Sequence, residues 1–240
     1  MSIVKYMDIQ NHDVYQMGAT KDFIIINNGY TGIMIYDKEL NIQKTMVIAS
    51  ELLISNIYSS LLNNFVVLLD AENEKLYVVN LMEETITSID TNNKIFNDYY
   101  FVDSDRFSLR AGDKAYTFLY ESVDVIDFTE VSRQFLLANY QDEEVICNEF
   151  GEIFYSIHGG ANRLIKGVLG HDKIATVQDG NVMIYDEEQL FVYSDFILKR
   201  KQDVPPDYSY RKVVFLEDGS FIVLLNRKDN HLCSRLEKYD

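Results

Sequence analysis

One unit recurs along this chain of 240 residues: an apolar strand, a short polar turn, and a second apolar strand that often closes on an aromatic residue or on Asp or Asn. Six copies run over residues 24–37, 66–80, 107–120, 145–157, 174–186 and 213–226. In the first, Ile24-Ile-Ile-Asn passes through Asn28-Gly-Tyr-Thr-Gly into Ile33-Met-Ile-Tyr-Asp37. Asp179-Gly180, Asp218-Gly219 and Asn28-Gly29 supply the positive φ that a tight hairpin turn demands, which is the strongest short-range hairpin signal a sequence carries. The first strands begin at 24, 66, 107, 145, 174 and 213, giving spacings of 42, 41, 38, 29 and 39.

Further β-prone stretches flank the hairpins. Ile42 to Ile48, Thr85 to Ile89 and Leu190 to Leu198 follow them, and Val14 to Ala19 and Arg133 to Tyr140 precede them. Four strands per unit of about 40 residues is the blade of a β-propeller. The expected fold is therefore all-β, a small propeller of five or six blades, six preferred, spanning residues 1–240 as a single domain. A β-sandwich or barrel is the alternative, and regular spacing argues against it. The resemblance is to propellers as an architecture, since without Trp no WD40 signature exists. Ile3 to Ile9 and Leu232 to Tyr239 are expected to share one blade and so close the ring, removing a free sheet edge. The short spacing of 29 predicts an irregular blade near residues 145–175 that lacks a strand, with Gly159-Gly160 and Gly167 to Gly170 at its corner. Ile48 to Leu62 is the one stretch with helical periodicity, its first half read as a helical turn and its second as an inner strand. Lys199 to Asp207 reads as a long loop, because Pro205 and Pro206 exclude ladder bonding.

Charge limits the partners. The chain carries 22 Lys plus Arg against 38 Asp plus Glu, a formal charge of −16 spread over both halves. Such a field repels nucleic acid and anionic membranes and draws in cationic partners. Mutual repulsion also favours a monomer. The longest apolar runs, such as Phe65 to Leu69, are too short to span a bilayer as a helix, and the start lacks a signal-type apolar region. Cys147 and Cys233 each read as a small buried hydrophobe, with a single disulfide between them as the alternative. A reduced, cytoplasmic setting follows.

No catalytic or cofactor motif is found. His12, His158, His171 and His231 have no second ligand at metal spacing. His158-Gly-Gly-Ala lacks the Gly-x-Ser-x-Gly elbow that an oxyanion loop requires. Asp70-Ala-Glu-Asn-Glu lacks the Gly of a calcium loop. No phosphate-binding glycine loop or dinucleotide fingerprint occurs, so no cofactor or metal is expected. A propeller hydrolase or lyase would draw on scattered axial residues and leave no local motif, and it stays open as an alternative.

What remains is an acidic loop system: Asp70, Glu72 and Glu74; Glu83 and Glu84; Asp103 and Asp105; Asp142, Glu143 and Glu144; Asp186, Glu187 and Glu188; Glu217 and Asp218. These are expected to merge on one rim as the binding surface for a basic protein. Tyr30, Tyr77, Tyr99, Tyr100 and Tyr120 are candidate aromatic anchors. In composition and architecture the chain resembles the immunity proteins of bacterial toxin-delivery systems, contact-dependent growth inhibition among them. That resemblance implies a non-catalytic inhibitor that covers a basic, nuclease-like toxin. A general scaffold for a peptide or protein partner is the second reading.

Overall fold

The computed structural model describes residues 2–130, 135–157, 160–169 and 173–240, with the side chains of 126–130, 135 and 169 set aside. Among these residues there are 24 strands and no helix, arranged as six four-stranded antiparallel sheets. After β1 (Ile3–Gln10), which joins the last blade, blade 1 holds β2 (Met17–Ala19), β3 (Phe23–Asn28), β4 (Gly32–Asp37) and β5 (Ile42–Val47). Blade 2 holds β6 (Ile54–Ser59), β7 (Phe65–Asp70), β8 (Lys75–Asn80) and β9 (Thr85–Asp90). Blade 3 holds β10 (Asp98–Phe101), β11 (Arg106–Ala111), β12 (Lys114–Leu119) and β13 (Val125–Glu130). Blade 4 holds β14 (Phe135–Tyr140), β15 (Glu143–Cys147), β16 (Glu152–Ile157) and β17 (Arg163–Leu169). Blade 5 holds β18 (Ile174–Gln178), β19 (Asn181–Tyr185), β20 (Gln189–Ser194) and β21 (Ile197–Asp203). Blade 6 is ordered β22 (Tyr208–Phe215), β23 (Phe221–Arg227), β24 (Cys233–Tyr239) and, outermost, β1 (Ile3–Gln10).

First strands of neighbouring blades touch, β2 with β6, β10 with β14, β14 with β18, β18 with β22 and β22 with β2, and residues of all six first strands line the axis. This is a six-bladed β-propeller, and the sandwich and barrel alternatives fall away.

Burial explains why the second strands are continuous apolar runs. In β7, Val66 and Leu68 pack toward blade 1 while Val67 and Leu69 pack toward blade 3. In β3, Ile25 faces blade 2 and Ile24 and Ile26 face the blade 6 side. A sheet covered on both faces has no solvent side, so alternation disappears. Each fully buried Ile or Leu contributes about 1.5–3 kcal/mol. The outer strands are the reverse: β9 and β21 are largely exposed and polar, and charged edges such as Lys199, Arg200 and Lys201 discourage edge-to-edge pairing.

Ring closure is carried by β1, which pairs with β24 from Ile3↔Tyr239 to Gln10↔Cys233. Arg235 Nε bonds Asp8 Oδ1 at 2.6 Å across this seam. Buried Asn226 donates to the carbonyl of Val14 at 2.8 Å and accepts from the Ser234 hydroxyl. Lys238 reaches Glu39 in blade 1 at 2.6 Å.

Three expectations require correction. The blade near residues 145–175 lacks no strand. The spacing of 29 arose because the hairpins starting at 145 and 174 are different pairs, β15–β16 and β18–β19. Counted on second strands, which begin at 23, 65, 106, 143, 181 and 221, the spacings are 42, 41, 37, 38 and 40. That blade is irregular in its inner pair, where Leu136↔Ile146 is followed by Ala138↔Val145, and more so in its outer strand, where pairing jumps from Glu152↔Leu169 to Ile153↔Ile165 and Gly167 takes φ +93°. Residues 158–159 and 170–172 lie outside the described residues. Lys199 to Asp203 belongs to β21, not to a loop, and the prolines follow it. Residues 48–53 form no helical turn, although their second-half neighbour β6 is an inner strand as expected. Both cysteines are free thiols, Cys147 buried and Cys233 half-buried.

Deleting residues 1–10 strips blade 6 of its outer strand and leaves β24 as a bare edge. The expected outcome is a lower melting temperature together with concentration-dependent association on size-exclusion chromatography with light scattering. An unchanged melting temperature and a strictly monomeric elution would contradict this account of closure.

Candidate functional site

In an antiparallel blade, successive connections alternate between the two ends of the ring. Connections from first to second and third to fourth strands share one face, called here the AB face. The others, including those between blades, share the BC face. This parity divides the acidic residues that the sequence suggested would merge. Asp103, Asp105, Asp142, Glu217, Asp218, Glu83 and Glu84 lie in AB-face connections, with Glu143 and Glu144 at the start of β15 beside them. Asp70, Glu72, Glu74, Asp186, Glu187 and Glu188 lie at the BC face. One rim therefore does not hold them all.

Nor are all of them available. Asp70 is fully buried and caps its own turn, accepting from the Asn73 amide and side chain. Glu143 accepts from the Tyr155 hydroxyl and from the Gly180 amide, tying blade 4 to blade 5. Asp186 is paired with Lys173 and receives the amides of Glu188 and Gln189. Asp103 is paired with Arg106, Glu84 with Lys44 and Glu187 with Arg211. Of the five tyrosines, only Tyr30 is exposed, and its hydroxyl bonds Asp13 at 2.6 Å. Tyr99 and Tyr120 share a buried 2.7 Å bond between their hydroxyls. Tyr77 is also buried, and Tyr100 is half-buried.

The AB face is nonetheless the more anionic. Its described connections hold thirteen acidic side chains against two lysines, Lys21 and Lys38; the BC face holds eleven against three. On the AB face ten of the thirteen form no ion pair among the described residues: Asp22, Glu83, Asp105, Glu121, Asp124, Asp142, Asp179, Asp195, Glu217 and Asp218. All six blades contribute. Asp22, Glu121, Asp124, Asp179 and Asp195 were not singled out from sequence, because nothing local marks which connections share a face. Lys38 does little to offset this field. It donates to the Thr20 carbonyl at 2.5 Å, and burial pushes its pKa down to about 8 despite the nearby Asp22, Glu217 and Asp218. The Ser220 hydroxyl and amide, donating to Asp218, hold that carboxyl below its ordinary range, which keeps it charged.

The ring also encloses an axial channel. Residues of all six first strands line a cavity of about 320 Å³. Asp98 of β10 pairs with Arg110 Nε at 2.6 Å inside blade 3. Burial raises Asp98's pKa, and Arg110 pulls it back only in part. No group of three or more His, Cys, Asp or Glu that could hold a metal occurs among the described residues.

No protein-family model matches the chain, and no curated protein matches it in sequence. Solved structures do match. BamB from Moraxella catarrhalis superimposes with a TM-score of 0.59 over 99% of both chains at 6% identity. Kluyveromyces lactis Hsv2 superimposes with a TM-score of 0.52 at 16% identity, covering 89% of this chain and 71% of its own. At such identities the likeness is one of fold.

Replacing Arg110 with Met leaves the Asp98 carboxylate buried without that cation, a change expected to cost about 3 kcal/mol in urea denaturation. A carboxyl whose folded pKa is raised favours folding at low pH and loses that contribution as pH rises through the folded value. The R110M deficit is therefore expected to be smaller at pH 5 than at pH 8. A deficit that grows on acidification would contradict this assignment.

Proposed function

We propose that this chain is a non-catalytic binding propeller that receives a basic protein on its AB face. The observation that supports this reading is the anionic AB face, thirteen acids against two lysines with ten acids outside any ion pair among the described residues. Unpaired carboxylates remain able to meet an incoming Lys or Arg, whereas paired ones must first break a contact. Charges drawn from six blades project one field along the axis, and such a field speeds encounter more than it deepens affinity. Nucleic acid and anionic lipid are disfavoured by the same sign of charge. The chain is read as a monomer apart from this partner, in a reduced, cytoplasmic setting that suits its two free thiols.

In its narrower form the proposal is an immunity-type inhibitor. A nuclease-like toxin that binds phosphate backbones exposes a cationic cleft, and an acidic propeller face fills such a cleft as a phosphate mimic. The charge of the AB face supports this form, as does the resemblance in composition to immunity proteins. A general scaffold for a neutral peptide differs in a measurable way, since its binding would be indifferent to salt.

Affinity capture from the native host at low salt is expected to recover a basic protein, identified by mass spectrometry. Its association rate should fall steeply between 50 and 300 mM salt, about tenfold or more. The double variant D142K/E217K is expected to slow association by about tenfold while its melting temperature stays near that of the parent. Recovery of only neutral or acidic partners, or association insensitive to salt and to the double variant, would end this reading.

A further inference from the structure

Lys212 stands on β22 with its side chain at the axial channel. It lies three residues before Phe215, the last paired residue of its strand. Asp98 lies three before Phe101 in β10, and Asn56 three before Ser59 in β6. Rotation about the ring axis carries one first strand onto another, so these three side chains occupy one level of the channel. Blades 3 and 6 are opposite each other in a six-membered ring, which sets Asp98 across the channel from Lys212.

The charges at this level do not cancel. Asp98 is already paired with Arg110 of its own blade. Lys212 makes no ion pair or hydrogen bond among the described residues, and burial is the sole cause that pushes its pKa down, with no carboxylate opposing it. Lys212 is half-buried, and its remaining surface opens on the channel. An uncompensated cation in such a place is costly to keep. The whole molecule carries a formal charge of −16, so a basic spot at its centre is not a by-product of composition. Gln178, at the AB-face end of β18, lines the same channel, and its side-chain oxygen is buried without a hydrogen-bond partner. Asn139 also lines the wall.

We infer that the axial channel is a binding site for a small hydroxylated organic monoanion, with Lys212 taking the carboxylate and the amides of the wall taking hydroxyl groups. One free cation suits one negative charge, and the Asp98–Arg110 pair is neutral as a unit. The volume of about 320 Å³ lies at the lower end of the range for small-molecule pockets. The wall amides of Asn56, Asn139 and Gln178 offer donors and acceptors to hydroxyl groups, which a bare inorganic anion lacks. This site is independent of the AB-face carboxylates.

The test is calorimetric titration of the full chain with sodium gluconate, with sorbitol as the uncharged polyol of the same length and sodium acetate as charge alone. Saturable one-site binding of gluconate, with sorbitol and acetate each about tenfold weaker or undetectable, is the expected result. Lys212→Met is expected to weaken gluconate by about tenfold or more. It should raise the melting temperature of the free protein, because an unpaired, partly desolvated charge is removed. Lys212→Arg keeps the charge and should bind within a few-fold of the parent, which separates loss of charge from loss of fold. No saturable binding of gluconate by the parent, or equal affinity in the parent and K212M, would overturn the proposal and leave Lys212 as a lysine hydrated by channel water.

Discussion

Every blade here buries both faces of its sheet, and that is the constraint from which the rest of the structure follows. The apolar residues of β7 alternate between two neighbours, Val66 and Leu68 toward one and Val67 and Leu69 toward the other. A blade with two apolar faces has no stable existence alone, so the stack must continue until it meets itself. Closure then falls to the chain ends. β1 supplies the outer strand of blade 6, and Asn226 ties that blade to the segment leading into blade 1. Because closure is a pairing of first and last segments, the two ends of the sequence are bound to one another in the folded state.

The ring also sorts charge. Antiparallel connections alternate between its two ends, so an acidic residue's face is fixed by the parity of its connection. Carboxylates distant in sequence, such as Asp22, Asp142 and Asp179, are brought onto one face in this way. The inner strands, meanwhile, gather single residues from each blade around a channel. A binding rim and a small-molecule channel are thus separate products of one architecture, built from loop tips in the first case and from first strands in the second.

Much of the fold was legible in the sequence because hairpin turns are local. Asp179-Gly180 and Asp218-Gly219 announce their own geometry, and Gly180 and Gly219 do take positive φ. What the turns do not declare is which pair of strands they join. The hairpins at 174 and 213 join first to second strands, whereas the earlier four join second to third. That shift of frame produced a blade one strand short where none exists. Charge was legible in amount and not in placement, for the same reason: connection parity is a property of the whole ring. Asp70 reads as a loop acid and is a buried turn cap. Lys212, in an unremarkable Tyr-Arg-Lys-Val-Val run, gains its meaning only from five other blades.

The central claim is that the AB face, and not its opposite, meets a cationic partner. Hydrogen-exchange footprinting of the complex with the captured basic protein addresses it most directly. The account predicts slowed exchange in residues 102–105, 141–142, 179–180 and 216–220, with the BC-face connections at 71–74 and 186–188 unchanged. Protection confined to those BC-face connections would contradict it.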